Sequence, residues 1–335
     1  MTADAPARDL AKGSRVSIAI QFILCGTIWG SSFLFMKIAL TGMSPGQVAW
    51  SRLVLGALTL GVFVALRRDR LPRSLAVWGH MTVLAASFCV APFLLFSWAQ
   101  QYVTSGLASI FNATTPIMTA IMAWAVFRVE RLGGTQILGI LLGIAGVAVI
   151  IGPGAAEGEG LVPSFAILGA TACYGFSLAY MRRFVSASGM TALTFSFLNI
   201  GIAAAIMVAL TPVVALSPLQ PDVPVLISVL LLGCLGTGIA YIWSQNTVRA
   251  WGPTRASTVT YITPVVGVAL GILILGEPLH WNEPAGAAIV FLGILLAQDR
   301  LRRRPKTTEG ATAAAAAPSP PGITPGECPG GRARS

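Results

Sequence analysis

The chain has 335 residues, 55% apolar and 10% charged, with a net charge of +10. A soluble protein carries about 25% charged residues, so a water-soluble enzyme domain is excluded. The Lys and Arg residues fall in short connections and tails, with no basic patch interleaved with aromatics; that placement excludes nucleic acid as a partner and reads as membrane topology.

Residues 1–15 form a polar tail with Arg8, Lys12 and Arg15. The apolar run that follows is too long for a signal-peptide core and lacks a small-x-small cleavage site, so it predicts an uncleaved first span near 16–39. Further spans are expected near 46–66, 75–99, 105–127 and 133–152, each an apolar run of about 18 residues or more. A loop at 153–162 holds Glu157 and Glu159 and no cation, and joins the first half to the second. Spans near 163–181, 191–214, 224–247, 255–276 and 284–299 complete the second half. Residues 300–335 open with Arg300, Arg302, Arg303, Arg304 and Lys306, then become an Ala, Pro and Gly tail expected to be disordered.

Placing the N-terminus in the cytoplasm puts 67–73, 128–131, 182–183, 249–255 and the C-terminal tail inside, and these hold nearly every Lys and Arg. The loops left outside hold none. The expectation is an all-α polytopic protein of the plasma (inner) membrane, with both termini cytoplasmic.

The two halves repeat each other. Ala108-Ser109 returns as Ala256-Ser257, Thr115-Pro116 as Thr263-Pro264, and Glu130 and Leu132 as Glu277 and Leu279. Gly139 and Gly146 return as Gly286 and Gly293. A repeat fixes architecture before any local reading. Each copy has five spans, an odd number, so the second must enter the membrane upside down. The expected fold is ten transmembrane helices in two inverted five-helix repeats, 16–152 and 163–299. That construction places a site at the midplane between two equivalent gates.

Trp29-Gly30-Ser31-Ser32-Phe33, Arg52 and the two Ala-Ser, Thr-Pro, Glu-x-Leu, Gly blocks resemble the EamA-type drug/metabolite transporters. The resemblance covers roughly residues 18–298. Tyr174-Gly175-Phe176 stands where the first half has Trp29-Gly30-Ser31, a departure in the second copy. The resemblance implies transport, often export, of amino acids or other small metabolites, and names no single substrate.

Ionisable groups inside a membrane are costly and each is a functional candidate. Lys37 lies near the outer end of span 1, and Arg52 about two turns into span 2. Together they read as a cationic patch for a carboxylate or other anion at the outer mouth. Snorkelling of Lys37 and a structural anchor at Arg52 are the competing readings. Asn112 and Thr115 precede or adjoin Pro116, and Thr260, Tyr261 and Thr263 precede Pro264; proline frees a backbone carbonyl one turn back, which can line a polar cavity. Trp29, Ser32, Tyr174 and Ser177 on the two first helices, Trp98, Tyr241 and Gln245 on spans 3 and 8, and Asn199 on span 7 supply aromatic walls and hydrogen bonds for a small solute. Aromatic packing is the plainer reading of each one alone. Pro92, Pro116 and Pro264 are hinge candidates, and Glu130 and Glu277 are gate candidates that also suit ordinary helix-turn hydrogen bonds.

The five cysteines have no CxxC spacing, His80 and His280 are far apart, and no nucleophile elbow, phosphate loop or zinc-protease motif is present. No catalytic residue, metal or cofactor is expected. The partners expected are a small metabolite and the lipid bilayer, with a homodimer left open. A membrane receptor or assembly subunit that binds without transporting is the alternative function.

Overall fold

Inside a bilayer every backbone N–H and C=O must be satisfied within the segment, and an apolar run meets that condition only as a helix or a closed barrel. The computed structural model, which describes residues 5–128, 132–152, 160–185, 189–251, 256 and 258–298 (side chains from residue 16), forms helices and no strand among the described residues. Among the described residues eight helices are long and apolar enough to cross a membrane: α1 (Val16–Ala39), α2 (Pro45–Arg67), α3 (Leu75–Ala99), α4 (Ser105–Ala125), α5 (Gly134–Ile151), α6 (Leu161–Phe184), α7 (Ala192–Ala209) and α8 (Val223–Trp251). Two shorter apolar helices follow, α9 (Val259–Leu275) and α10 (Asn282–Ala297). The first helix extends back to Ala5, into the segment read as a tail. The C-terminal tail, the centre of the joint between the halves and Glu130 lie outside the described residues.

Helix starts follow the capping residues. The Ser44 hydroxyl accepts from the Gln47 N–H while the Gln47 side chain accepts from the Ser44 N–H, and Pro45 opens α2. Thr191 caps α7 in the same way through the Thr194 N–H, and Asp222 caps α8 through the Val225 N–H.

The packing shows two repeats related by a pseudo-two-fold axis. Helix α1 packs on α9, and α6, its counterpart, packs on α4; α2 packs on α8 and α7 on α3; α5 packs on α10. The residues agree in detail. A Cβ at Gly30 would lie 2.6 Å from Val266 Cβ, and one at Gly175 would lie 2.6 Å from the Met118 carbonyl carbon. Val266 and Met118 each lie two residues after the repeated proline. Helices α5 and α10 run against each other through Gly139 on Gly293 and Gly146 on Gly286, one contact made twice by the symmetry. Small residues permit such close backbone approach in membranes. The opposite face of α5 exposes Ile137, Leu138, Leu141 and Ile144, an apolar surface suited to lipid. The molecule is therefore an all-α polytopic membrane protein of ten helices in two inverted repeats.

Two departures from regular helix also fall at equivalent places. Residues Ala86–Val90 of α3 and Leu231–Ile239 of α8 are π-helical. In α3 the widened turn ends just before Pro92, whose ring cannot supply an N–H to the ladder. In α8 no proline falls in or just after the widened stretch, which holds Gly233, Gly236 and Gly238 instead. Pro116 and Pro264 are not equivalent in effect. Pro116 is the second residue after the turn Ala113-Thr114 that splits α4, whereas Pro264 lies within a continuous α9.

Candidate functional site

The widened turn of α8 bends its carbonyls and Thr237 towards α1 and α2. The Thr237 hydroxyl donates to the Leu232 carbonyl (3.0 Å), which leaves its oxygen free to accept the Nε–H of Arg52 (2.9 Å). The Trp29 indole donates to the Gly236 carbonyl (3.1 Å). π-Helical turns recur at functional sites because they re-aim individual groups in this manner. Arg52 is buried, 6% exposed, with its guanidinium carbon 3.7 Å from the centroid of the Phe93 ring, a cation–π contact.

These residues border a cavity of about 220 Å³ between the two repeats. Twelve of the residues singled out from sequence line it. Trp29 and Ser32 come from α1, Arg52 from α2, and Asn112 and Thr115 from α4. Tyr174 and Ser177 come from α6, Asn199 from α7, Tyr241 and Gln245 from α8, and Thr260 and Thr263 from α9. The aromatics form one wall: Trp29 meets Tyr241 edge-on at 5.8 Å, and Phe88 meets Tyr174 at 5.3 Å. Trp29 and Tyr174 are symmetry counterparts, as are Arg52 and Asn199, which share the same register from the N-caps Ser44 and Thr191. Asn199 donates to the Cys89 sulfur (3.4 Å), and its carbonyl oxygen has no partner among the described residues. Several hydroxyls are committed to their own helices: Ser32 to Ile28, Thr115 to Asn112 and Thr263 to Val259. Each keeps acceptor capacity.

Three candidates lie elsewhere. Lys37 donates to the Gln100 and Val103 carbonyls (2.6 and 2.8 Å) at the end of α3. It stays apart from the cavity lining, so it and Arg52 do not form one patch there. Trp98 meets Tyr102 at a tilt, with ring centroids 5.2 Å apart. Tyr261 turns to α10, where its hydroxyl donates to Gln298 and its ring meets Phe291. Sequence reading also missed residues that line the cavity: Phe88, Phe93 and Phe96 of α3, and Met36, Met181 and Phe195. Their signal was a phenylalanine cluster around Pro92, which looked like span filler because the π turn changes which positions share a face.

Outside the lining, Glu277 in the turn between α9 and α10 ties that turn to the start of α4. Its carboxylate accepts from the Ser105 N–H (2.7 Å), the Ser105 hydroxyl (2.8 Å) and the Gly106 N–H (3.1 Å). A carboxylate at the start of a helix satisfies orphan N–H donors and complements the dipole of α4. The lining reaches Met181, Phe195, Val248 and Ala256, where Met181 precedes the pair Arg182-Arg183 of α6 and Val248 precedes Arg249 of α8. Among the described residues no group of His, Cys, Asp and Glu could hold a metal.

Inverted repeats around a central cavity are how many membrane transporters are built. The chain belongs to the EamA-like transporter family, which matches residues 16–152 and 162–298. It is 26% identical to an uncharacterized transporter of Archaeoglobus fulgidus over 83% of this chain and 97% of the relative. It is 25% identical to an uncharacterized inner membrane transporter of Escherichia coli, over 80% and 86%. It is 27% identical to a probable amino-acid metabolite efflux pump of Salmonella typhimurium, over 82% and 92%. A crystal structure superposes with a TM-score of 0.61 at 18% identity, covering 86% of this chain and 99% of the other, and so shares the fold. The chain is a multi-pass membrane transporter of the drug/metabolite kind.

Proposed function

We propose that the protein carries small metabolites, amino acids or related compounds, across the plasma membrane by alternating access, in the direction of export. The observation that carries this reading is a cavity built jointly by both repeats, whose lining reaches Met181 and Val248 beside the basic ends of α6 and α8. With the basic ends and both termini in the cytoplasm, the contact of Glu277 with the start of α4 lies on the outer side, and the reading assigns it the role of outer latch. The widened turns of α3 and α8, the split α4 and Pro264 in α9 are the places where helices can bend between states. The names of the Salmonella and Escherichia coli relatives, probable amino-acid metabolite efflux pumps, support the solute class. One chain lines the cavity, so the reading requires neither a second copy nor nucleic acid, and it assigns no catalytic residue.

The test is counterflow in proteoliposomes. Purified protein is reconstituted and assayed with labelled amino acids and related metabolites against protein-free liposomes. Saturable exchange of at least one solute is expected. Absence of saturable flux across a broad metabolite panel overturns the proposal, and solute binding without flux favours a receptor.

A further inference from the structure

Arg52 is the one charged side chain among the described residues that line the cavity. The titratable groups acting on its guanidinium are Tyr174, Tyr241 and Cys89, all ordinarily uncharged near neutral pH. Thr237 takes the Nε–H and Phe93 covers one face. Among the described residues neither terminal nitrogen has a hydrogen-bond acceptor. A buried charge left without a counter-ion is expensive and is retained where something completes it. The open edge of a guanidinium presents two parallel N–H donors, the geometry that a carboxylate accepts.

The remaining lining has a second meaning. No described carboxylate faces the cavity, so a solute's ammonium group finds neutral acceptors and ring faces but no ion-pair partner. A dianion would leave one charge uncompensated against an aromatic wall.

We infer that the cavity selects monocarboxylates through Arg52 and does not require an amine, so that the substrate class is small acids with an uncharged, partly apolar body. This rests on the cavity being the transport site. N-acylated or deaminated amino-acid derivatives belong to the class, and decarboxylated amines do not. Asn199, at the symmetry-related position, lacks a charge, so the repeat supplies one anchor for the carboxylate and one neutral wall opposite.

The test measures dissociation constants in detergent by titration calorimetry for two matched sets: leucine, N-acetylleucine and isoamylamine, and phenylalanine, N-acetylphenylalanine and phenethylamine, with phenethyl phosphate added. In at least one set the acetylated acid should bind within about threefold of the amino acid or tighter, with the amine at least about 30-fold weaker. Arg52→Gln should lose at least about 30-fold for the acids, and Arg52→Lys should recover part of that loss. The melting temperature of each ligand-free variant reports folding independently; a variant that does not fold is set aside, and the wild-type comparison of acids with amines still decides. The inference is overturned if no acid binds, if amines match acids, if the phosphate binds tighter than the carboxylates, or if folded Arg52→Gln binds acids within twofold of wild type. Selective acid binding without flux in proteoliposomes would sink the transport reading and leave the selectivity standing. Flux of amines equal to that of acids would do the reverse.

Discussion

Replacing Glu277 with Gln perturbs the contact between the α9–α10 turn and α4, the outer latch of the proposed transport cycle, while keeping the side chain's size. The carboxylate accepts three hydrogen bonds at 2.7, 2.8 and 3.1 Å, two from backbone N–H groups at the start of α4. A glutamine oxygen can still accept from Ser105 N–H, and the Ser105 hydroxyl can turn to accept from the amide. The Gly106 N–H then faces an NH₂ group and loses its partner. Hydrogen bonds to a charged acceptor contribute about 1.5–3 kcal/mol and neutral ones about 0.5–1.5 kcal/mol. The substitution therefore weakens the closed outer end by at least about 2 kcal/mol, roughly a 30-fold shift towards the outward-open state at 1.4 kcal/mol per tenfold. A cysteine in place of Met36, buried at the cavity wall, reports that state. In right-side-out vesicles a membrane-impermeant maleimide should label it at least tenfold faster in the Glu277→Gln background than in the parent. Labelling rates from outside that agree within twofold would refute the latch.

Thr237→Val keeps the shape of the side chain and removes the acceptor for Arg52 Nε–H; acid affinity should fall about tenfold or more by calorimetry. Gly139→Ala would bring a Cβ to 2.4 Å from the Ala297 backbone nitrogen, so it should destabilise by at least about 1–3 kcal/mol and lower the detergent melting temperature. Gly79→Ala meets nothing within 4 Å and should leave the melting temperature unchanged or raised. Gly30→Ala and Gly175→Ala should cost similar amounts, since each forces a Cβ to 2.6 Å from the facing helix; a melting loss confined to one of them would contradict the symmetric packing.

Much of this was legible because membrane folding reduces to local rules. Apolar length gave the helices, and the duplication of Gly139 and Gly146 as Gly286 and Gly293 marked the helix pair that meets backbone to backbone. The cavity side chains were legible through chemistry, since Arg52, Asn199 and the paired aromatics stand out in an apolar chain. The π turns were not. Nothing in the periodicity of Ala86–Val90 or Leu231–Ile239 announces an extra residue per turn, and without it Thr237 cannot be placed on Arg52 nor Phe93 beneath it. The fate of Lys37 was equally hidden, because the carbonyls it binds belong to a loop distant in sequence. Proline symmetry misled in one respect: two equivalent prolines yield a split helix in α4 and a continuous one in α9, because the residues before them, Ala113-Thr114 and Tyr261-Ile262, have different neighbours to satisfy.

The α5–α10 contact lies on the pseudo-two-fold axis, so each half presents to the other the same glycine face that it receives. Such a contact is isologous, the kind that joins identical subunits. The peptide connection between the halves is then a tether, and assembly information resides in the matching faces. Only where the halves must differ, as at Arg52 and Asn199, does a single chain gain something that two copies of one half could not have: a cavity with a charged side and a neutral side.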